Sequence, residues 1–167
     1  LTLVEFDCID RDLPREIARA TRRSTTSLVL RQLGARLPAA EHGVVRMALE
    51  GVLHGWRTDD LAAKAGWTRA HLSVRLRGRG LPSAGHMLVW AKLMHAGRWL
   101  QDPGRTAESI SRQLEYSSGA AFRRALQNYV GGTPTWVRDN DGLSCVLSRF
   151  LDVCGLDDSV GGIRSVA

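Results

Sequence analysis

Thr58-Asp59-Asp60-Leu61-Ala62-Ala63-Lys64-Ala65-Gly66-Trp67-Thr68-Arg69-Ala70-His71-Leu72-Ser73-Val74-Arg75-Leu76-Arg77 is the stretch on which the fold turns. Thr58 with Asp59 and Asp60 predicts a helix start, because a hydroxyl can cap free backbone N–H groups and carboxylates favour the positive end of the helix dipole. Leu61, Ala62 and Ala65 predict a short helix ending at Gly66, a residue that tolerates the left-handed backbone. Thr68 then opens a second helix. Leu72 and Leu76, four apart, give it a buried side, and Arg69, Ser73, Arg75 and Arg77 remain to face outward or flank it. A short helix, a tight turn and a second helix with a basic outer side read as a helix-turn-helix unit.

The pattern returns further along the chain. Thr106 and Glu108 open a short helix whose Ile110 and Leu114 match Leu61 and Ala65 at an offset of 49, as Tyr116-Ser117 matches Trp67-Thr68. Beyond the turn the offset becomes 50, pairing Leu72 with Phe122 and Leu76 with Leu126, which predicts one extra residue around Ser118 to Ala120. Arg123 and Arg124 lie on the outer side of this copy. An internal repeat of a basic helix pair is a stronger signal than one pair alone. Between the copies, Pro82 and Asp102-Pro103-Gly104 bound a linking helix over about 83–101. At 1.5 Å per residue it is about 28 Å long, near the roughly 34 Å between successive major-groove openings on one face of DNA. Met87, Leu88, Ala91, Leu93, Met94 and Leu100 are its expected core side chains, with Trp90 and Trp99 as core plugs.

Upstream, Val44, Val45, Ala48, Leu49, Val52 and Leu53 recur at helical steps and predict a helix over about 41–56. Residues 1–40 read differently. Leu3 to Phe6 suits a strand, Asp10 to Arg23 a helix through Leu13, Ile17 and Ala20, and Ser27 to Leu30 a second strand, a partial strand-helix-strand unit too small to bury its own core. Downstream, 141–167 forms a C-terminal helix and tail. Leu143, Val146, Leu147, Phe150 and Leu151 share one helix face that packs on the body, a dimer contact being the alternative. The expected fold class is therefore mainly α, with a double helix-turn-helix domain over 41–140 whose units span about 58–78 and 106–129.

Charge agrees in its location. The 167 residues hold 23 Lys and Arg against 17 Asp and Glu, and 21 of the basic residues are Arg. Residues 41–139 carry 14 basic and 8 acidic side chains, leaving 9 against 9 elsewhere, so the whole +6 excess lies in this segment. Such a segment attracts a phosphate backbone, and guanidinium groups can fork onto phosphates or guanine edges. Cys8, Cys145 and Cys154 are too scattered for a disulfide framework or a metal site. No run approaches the roughly 20 apolar residues of a membrane span, and the N-terminal stretch lacks a secretion-signal layout, so a cytoplasmic protein is expected. His42, His54, His71, His86 and His95 join no hydrolase or phosphate-loop signature, so no enzymatic activity, cofactor or metal is expected. Asp7 follows the first strand as a phospho-acceptor would, but no acidic pair or lysine is placed to hold Mg²⁺ and a phosphoryl group.

From Val44 to Arg138 the chain resembles the AraC/XylS family of bacterial transcription regulators. The likeness is strongest in Asp102-Pro103-Gly104-Arg105-Thr106, Tyr116-Ser117-Ser118, Phe122-Arg123-Arg124, Asn128-Tyr129, Gly132-Thr133-Pro134 and Val137-Arg138. It implies a seven-helix DNA-binding domain and sequence-specific binding of double-stranded DNA, with RNA polymerase and a second copy of the chain as further partners. Carried over position by position, it makes Ala70, Ser73 and Val74 base readers of the first unit, with Arg69, Arg75 and Arg77 as flanking contacts. In the second unit, on a helix over 118–128, it puts Gly119, Ala120, Arg123 and Arg124 against the groove; Arg124 is the candidate for a guanine contact, with phosphate neutralisation the alternative for either arginine. Glu115 stands where the family has Gly, Leu76 and Leu126 where it often has Phe, and Val137 where it has an aromatic residue. A degenerate helix-turn-helix module for protein contacts, or a regulator fragment without DNA specificity of its own, is the alternative reading.

Overall fold

The computed structural model describes residues 25–156 other than Ala35 and Pro38. They form a mainly α protein, with no strand among the described residues. In chain order the helices are α1 (25–33), α2 (Ala39–Gly51), α3 (Thr58–Lys64), α4 (Arg69–Arg77), α5 (Ala84–Leu100), α6 (Ala107–Gln113), α7 (Gly119–Tyr129), α8 (Pro134–Asp139) and α9 (Leu143–Cys154).

The expected second strand over Ser27 to Leu30 is helix instead. Thr25, Val29 and Leu33 repeat at four-residue steps and are all fully buried, the stripe of a helix. Three apolar residues in a row could not reveal it, because periodicity does not separate a short strand from a buried helical segment. The expected strand at Leu3 to Phe6 and helix at Asp10 to Arg23 lie outside the described residues.

α2 buries Val44, Val45, Ala48 and Leu49. It gives way to a tight 3-10 turn at Val52–His54, and the chain reverses at Gly55, whose φ of 70° suits glycine. The Trp56 ring then folds back onto Gly51, where a Cβ would collide with it. The helix expected to reach residue 56 therefore stops five residues sooner.

α5 is the axis of the molecule. Twelve of its residues are buried, among them Met87, Trp90, Leu93, Met94, Trp99 and Leu100, the pattern of a helix covered on all sides. It packs against α2, α3, α4, α6, α7, α8 and α9. Trp90 meets Tyr129 of α7 and Phe150 of α9 edge-on, with ring centroids 5.4 and 5.5 Å apart. His95, fully buried, donates from Nε2 to the Leu49 carbonyl at 2.9 Å and fastens α5 to α2. Burying each such large apolar side chain contributes about 1.5–3 kcal/mol.

The C-terminal part is fastened to the same axis. Thr133 caps α8 by accepting from the Trp136 N–H, and Pro134 occupies the first turn, where its missing N–H costs nothing. Arg138 donates to the Leu100 carbonyl at 2.8 Å and to the Arg105 carbonyl at 3.2 Å, so it holds α8 to the end of α5. The apolar face of α9, from Leu143 to Phe150 and Leu151, lies on α5. Gly97 allows this approach: a Cβ there would lie 3.1 Å from the Gly142 carbonyl.

Candidate nucleic-acid interface

α3 with α4 and α6 with α7 are two helix pairs built by the same hydrogen bonds. At the start of the pairs, Leu61 N–H bonds the Arg57 carbonyl and Ile110 N–H the Thr106 carbonyl, both at 3.1 Å. At the turns, Gly66 donates to Ala63 and Trp67 to Ala62, as Glu115 donates to Arg112 and Tyr116 to Ser111, all at 2.9–3.1 Å. Thr68 then caps α4 through the His71 N–H, and Ser118 caps α7 through the Ala121 N–H. The offset is 49 up to the turn and 50 after it, so the extra residue is Ser117, just ahead of the expected Ser118 to Ala120.

The same equivalence corrects the first cap. Arg57, not Thr58, occupies the N-cap position that Thr106 holds in the second pair. The Asp60 carboxylate accepts the Arg57 N–H at 2.8 Å, whereas Thr106 and Ser109 bond each other's backbone N–H groups reciprocally.

Both pairs turn through a left-handed residue. Gly66 has φ 76° and Glu115 has φ 55°. Glu115 accepts a backbone that costs an L residue about 1–2 kcal/mol, so its departure from glycine leaves the turn geometry unchanged. Each turn is followed by an aromatic ring that carries a cation. The Arg75 guanidinium lies 4.6 Å from the Trp67 ring centroid, and the Lys92 ammonium of α5 lies 5.3 Å from that of Tyr116.

The expected contact residues divide by environment. On α4, Arg69, Ala70, Val74, Arg75 and Arg77 are exposed, and Val74, an apolar side chain in open solvent, is 60% exposed. Ser73 is half-buried and its Oγ accepts the Ala84 N–H at 3.3 Å, binding α4 to the first turn of α5. Arg77 donates to the Ser73 carbonyl, and Arg69 lies 3.9 Å from Asp59. On α7, Ala120, Arg123 and Arg124 are exposed, and among the described residues Arg124 has no ion pair. Gly119 is buried beneath the Glu108 side chain, which a Cβ would displace, so it serves the α6–α7 contact and not the outer surface. At offset 50, Arg123 and Arg124 occupy the positions of Ser73 and Val74, while Arg69, Arg75 and Arg77 face Gly119, Ala125 and Gln127. The two arginine sets lie at different positions of equivalent helices.

Between the pairs, over the middle of α5, is an open cleft of ≈ 540 Å³. Trp56 and Arg57 line it from the turn before the first pair, Asp59 and Arg69 from that pair, Val89 and Lys92 from α5, and Tyr116 from the second pair. Burial holds the Lys92 ammonium below the usual lysine pKa, with Glu115 pulling weakly the other way. Burial also pushes the Tyr116 hydroxyl above its ordinary range, and among the described residues that hydroxyl has no hydrogen-bond partner. The Lys92 site was not legible as such in the sequence, although Lys92 is one of only two lysines in the chain.

Among the described residues no cluster of His, Cys, Asp and Glu could hold a metal ion, and no helix is long and apolar enough to cross a membrane. Comparison of the chain with protein-family models, with curated proteins and with solved structures returned no match in any of the three. The class that fold and surface define is thus a mainly α protein with two like helix pairs on one buried axis.

Proposed function

We propose that the chain is a sequence-specific DNA-binding transcription regulator whose helix pairs are helix-turn-helix units, with α4 and α7 entering adjacent major-groove segments. The observation that carries this reading is the repeated turn-and-cap hydrogen bonding, which presents an exposed, arginine-bearing helix twice on one rigid axis. A pair that served packing alone has no need of exposed arginines at the outer positions of both copies.

The units take different shares. Arg123 and Arg124 of α7 are free to reach base edges, where a guanidinium forks onto guanine O6 and N7. α4 offers Ala70 and Val74 to thymine methyl groups, and its Arg69, Arg75 and Arg77 neutralise phosphates. Ser73, occupied by the α5 backbone, is withdrawn from the reading set. The second reading, a helix-turn-helix module that contacts protein, is favoured by Val74 on α4, since an exposed apolar side chain suits a protein partner as well as a thymine.

Selection of duplexes from a random pool, followed by titrations across salt, tests the proposal. Affinity falls steeply with salt, and Arg124→Ala costs about 1–3 kcal/mol at particular base pairs and little elsewhere. Equal loss on all sequences makes Arg124 a phosphate contact; failure to bind any duplex at low salt removes the DNA reading and leaves the protein-contact module.

A further inference from the structure

We propose that the cleft over the middle of α5 seats a backbone phosphate of the duplex, with Lys92 as its cation. The inference rests on the DNA-binding reading above and adds a contact from the linking helix itself.

Position is the first argument. The cleft is bounded on one side by Arg57 and Arg69, at the starts of α3 and α4, and on the other by Tyr116, just ahead of α7. Helices that read the major groove present their N-terminal residues to the bases, so the cleft lies on the side that faces DNA. When α4 and α7 occupy successive major-groove segments, the backbone bordering the minor groove passes the midpoint between them. Lys92 is at that midpoint, near the middle of Ala84–Leu100.

Chemistry is the second. Lys92 is half-buried, its ammonium rests on the Tyr116 ring, and among the described residues it makes no ion pair. Desolvation lowers its pKa, so an incoming anion gains more from it than from a hydrated surface lysine. Its flexible stem carries three donors, which suits a phosphate oxygen crossing at variable height. The surrounding charge is partly offset. Asp59, which also lines the cleft, lies 3.9 Å from Arg69, and Glu115 draws on Lys92. The seat is therefore selective for an anion brought in by the flanking helices and is no general sink for negative charge. Glu115 is a like charge to the phosphate and restrains binding, which gives the proposal a variant of opposite sign.

The test titrates the full chain with a selected duplex and an unrelated duplex from low to high salt. Lys92→Gln weakens binding to both by a similar factor and reduces the slope of log K against log salt by about 1, while Lys92→Arg keeps the slope. Glu115→Gln, which keeps the backbone strain and removes only the charge, tightens binding to both. If Lys92→Gln and Glu115→Gln leave affinity and slope unchanged while Arg124→Ala still weakens the selected duplex, the cleft is off the DNA path and the proposal falls. If the wild-type chain binds no duplex, the functional reading fails first. If inorganic phosphate alone changes Trp56 fluorescence through Lys92, with duplex binding indifferent to Lys92→Gln, the seat belongs to a free anion and the assignment to DNA is overturned.

Discussion

The two helix pairs share a hydrogen-bond plan and differ in nearly everything displayed on it. The first pair turns at Gly66 without strain, begins at an Arg57 whose side chain makes no cap hydrogen bond, and ties Ser73 of its outer helix to α5. The second turns at a strained Glu115, has a reciprocal Thr106–Ser109 cap, and leaves Arg123 and Arg124 exposed. Even the cation on the turn aromatic has different sources: Arg75 of α4 on Trp67, but Lys92 of α5 on Tyr116. Turn and caps fix where a helix sits, whereas the outer positions are free to diverge. A repeat of this kind keeps its geometry while its copies specialise.

The largest effect comes from what the pairs share. Trp90→Ala, on the axis between Tyr129 and Phe150, costs about 3–5 kcal/mol. Both pairs then unfold together in a single urea transition followed by circular dichroism; two separated transitions would show that each pair is stable on its own.

Next come the turns, where equivalent positions respond with opposite sign. Gly66 has open space around its Cβ position, so Gly66→Ala costs only the left-handed backbone, about 1 kcal/mol. Glu115→Gly relieves that strain and stabilises by about 0.5 kcal/mol, the remainder being offset by the greater freedom of glycine in the unfolded chain. Urea midpoints of the two variants check this, and destabilisation by both would mean that the Glu115 side chain matters more than its backbone.

The smallest effect separates the two turn aromatics by pH. Burial raises the Tyr116 hydroxyl in the folded chain, so the folded state holds its proton after the unfolded state, with a pKa near 10, has lost it. The stability this group contributes is full below pH 10 and is lost as pH rises further. Tyr116→Phe removes a buried hydroxyl that has no partner among the described residues, does not lower stability at pH 7, and flattens the decline between pH 10 and 11. Trp67, its counterpart, does not titrate, so Trp67→Phe leaves that decline in place.

Much of this comparison was legible in the sequence, because caps, turn residues and buried periodicity are local. The offset of 49 and then 50, the bounds of α5, the packing of α9 and the anomaly of Glu115 could all be read from residue order. What could not be read depends on neighbours distant in sequence. Ser73 looked available until Ala84, eleven positions on, claimed its hydroxyl. Gly119 looked groove-facing until Glu108 covered it. Lys92 carried no signal in residue order, because only the folded chain brings Tyr116 beneath it. The expected strand at Ser27 to Leu30 failed for another reason: its helical stripe runs from Thr25 to Leu33, beyond the short apolar run considered.

The proposed function requires that one axis hold two DNA-reading helices a groove apart. The most direct measurement compares the affinity of the chain for a selected duplex with that for the same duplex carrying five base pairs inserted between its two contacted segments. Half a helical turn puts the segments on opposite faces of the DNA. Affinity then falls to that of an unrelated duplex if α4 and α7 bind together on α5, and an unchanged affinity would contradict the account.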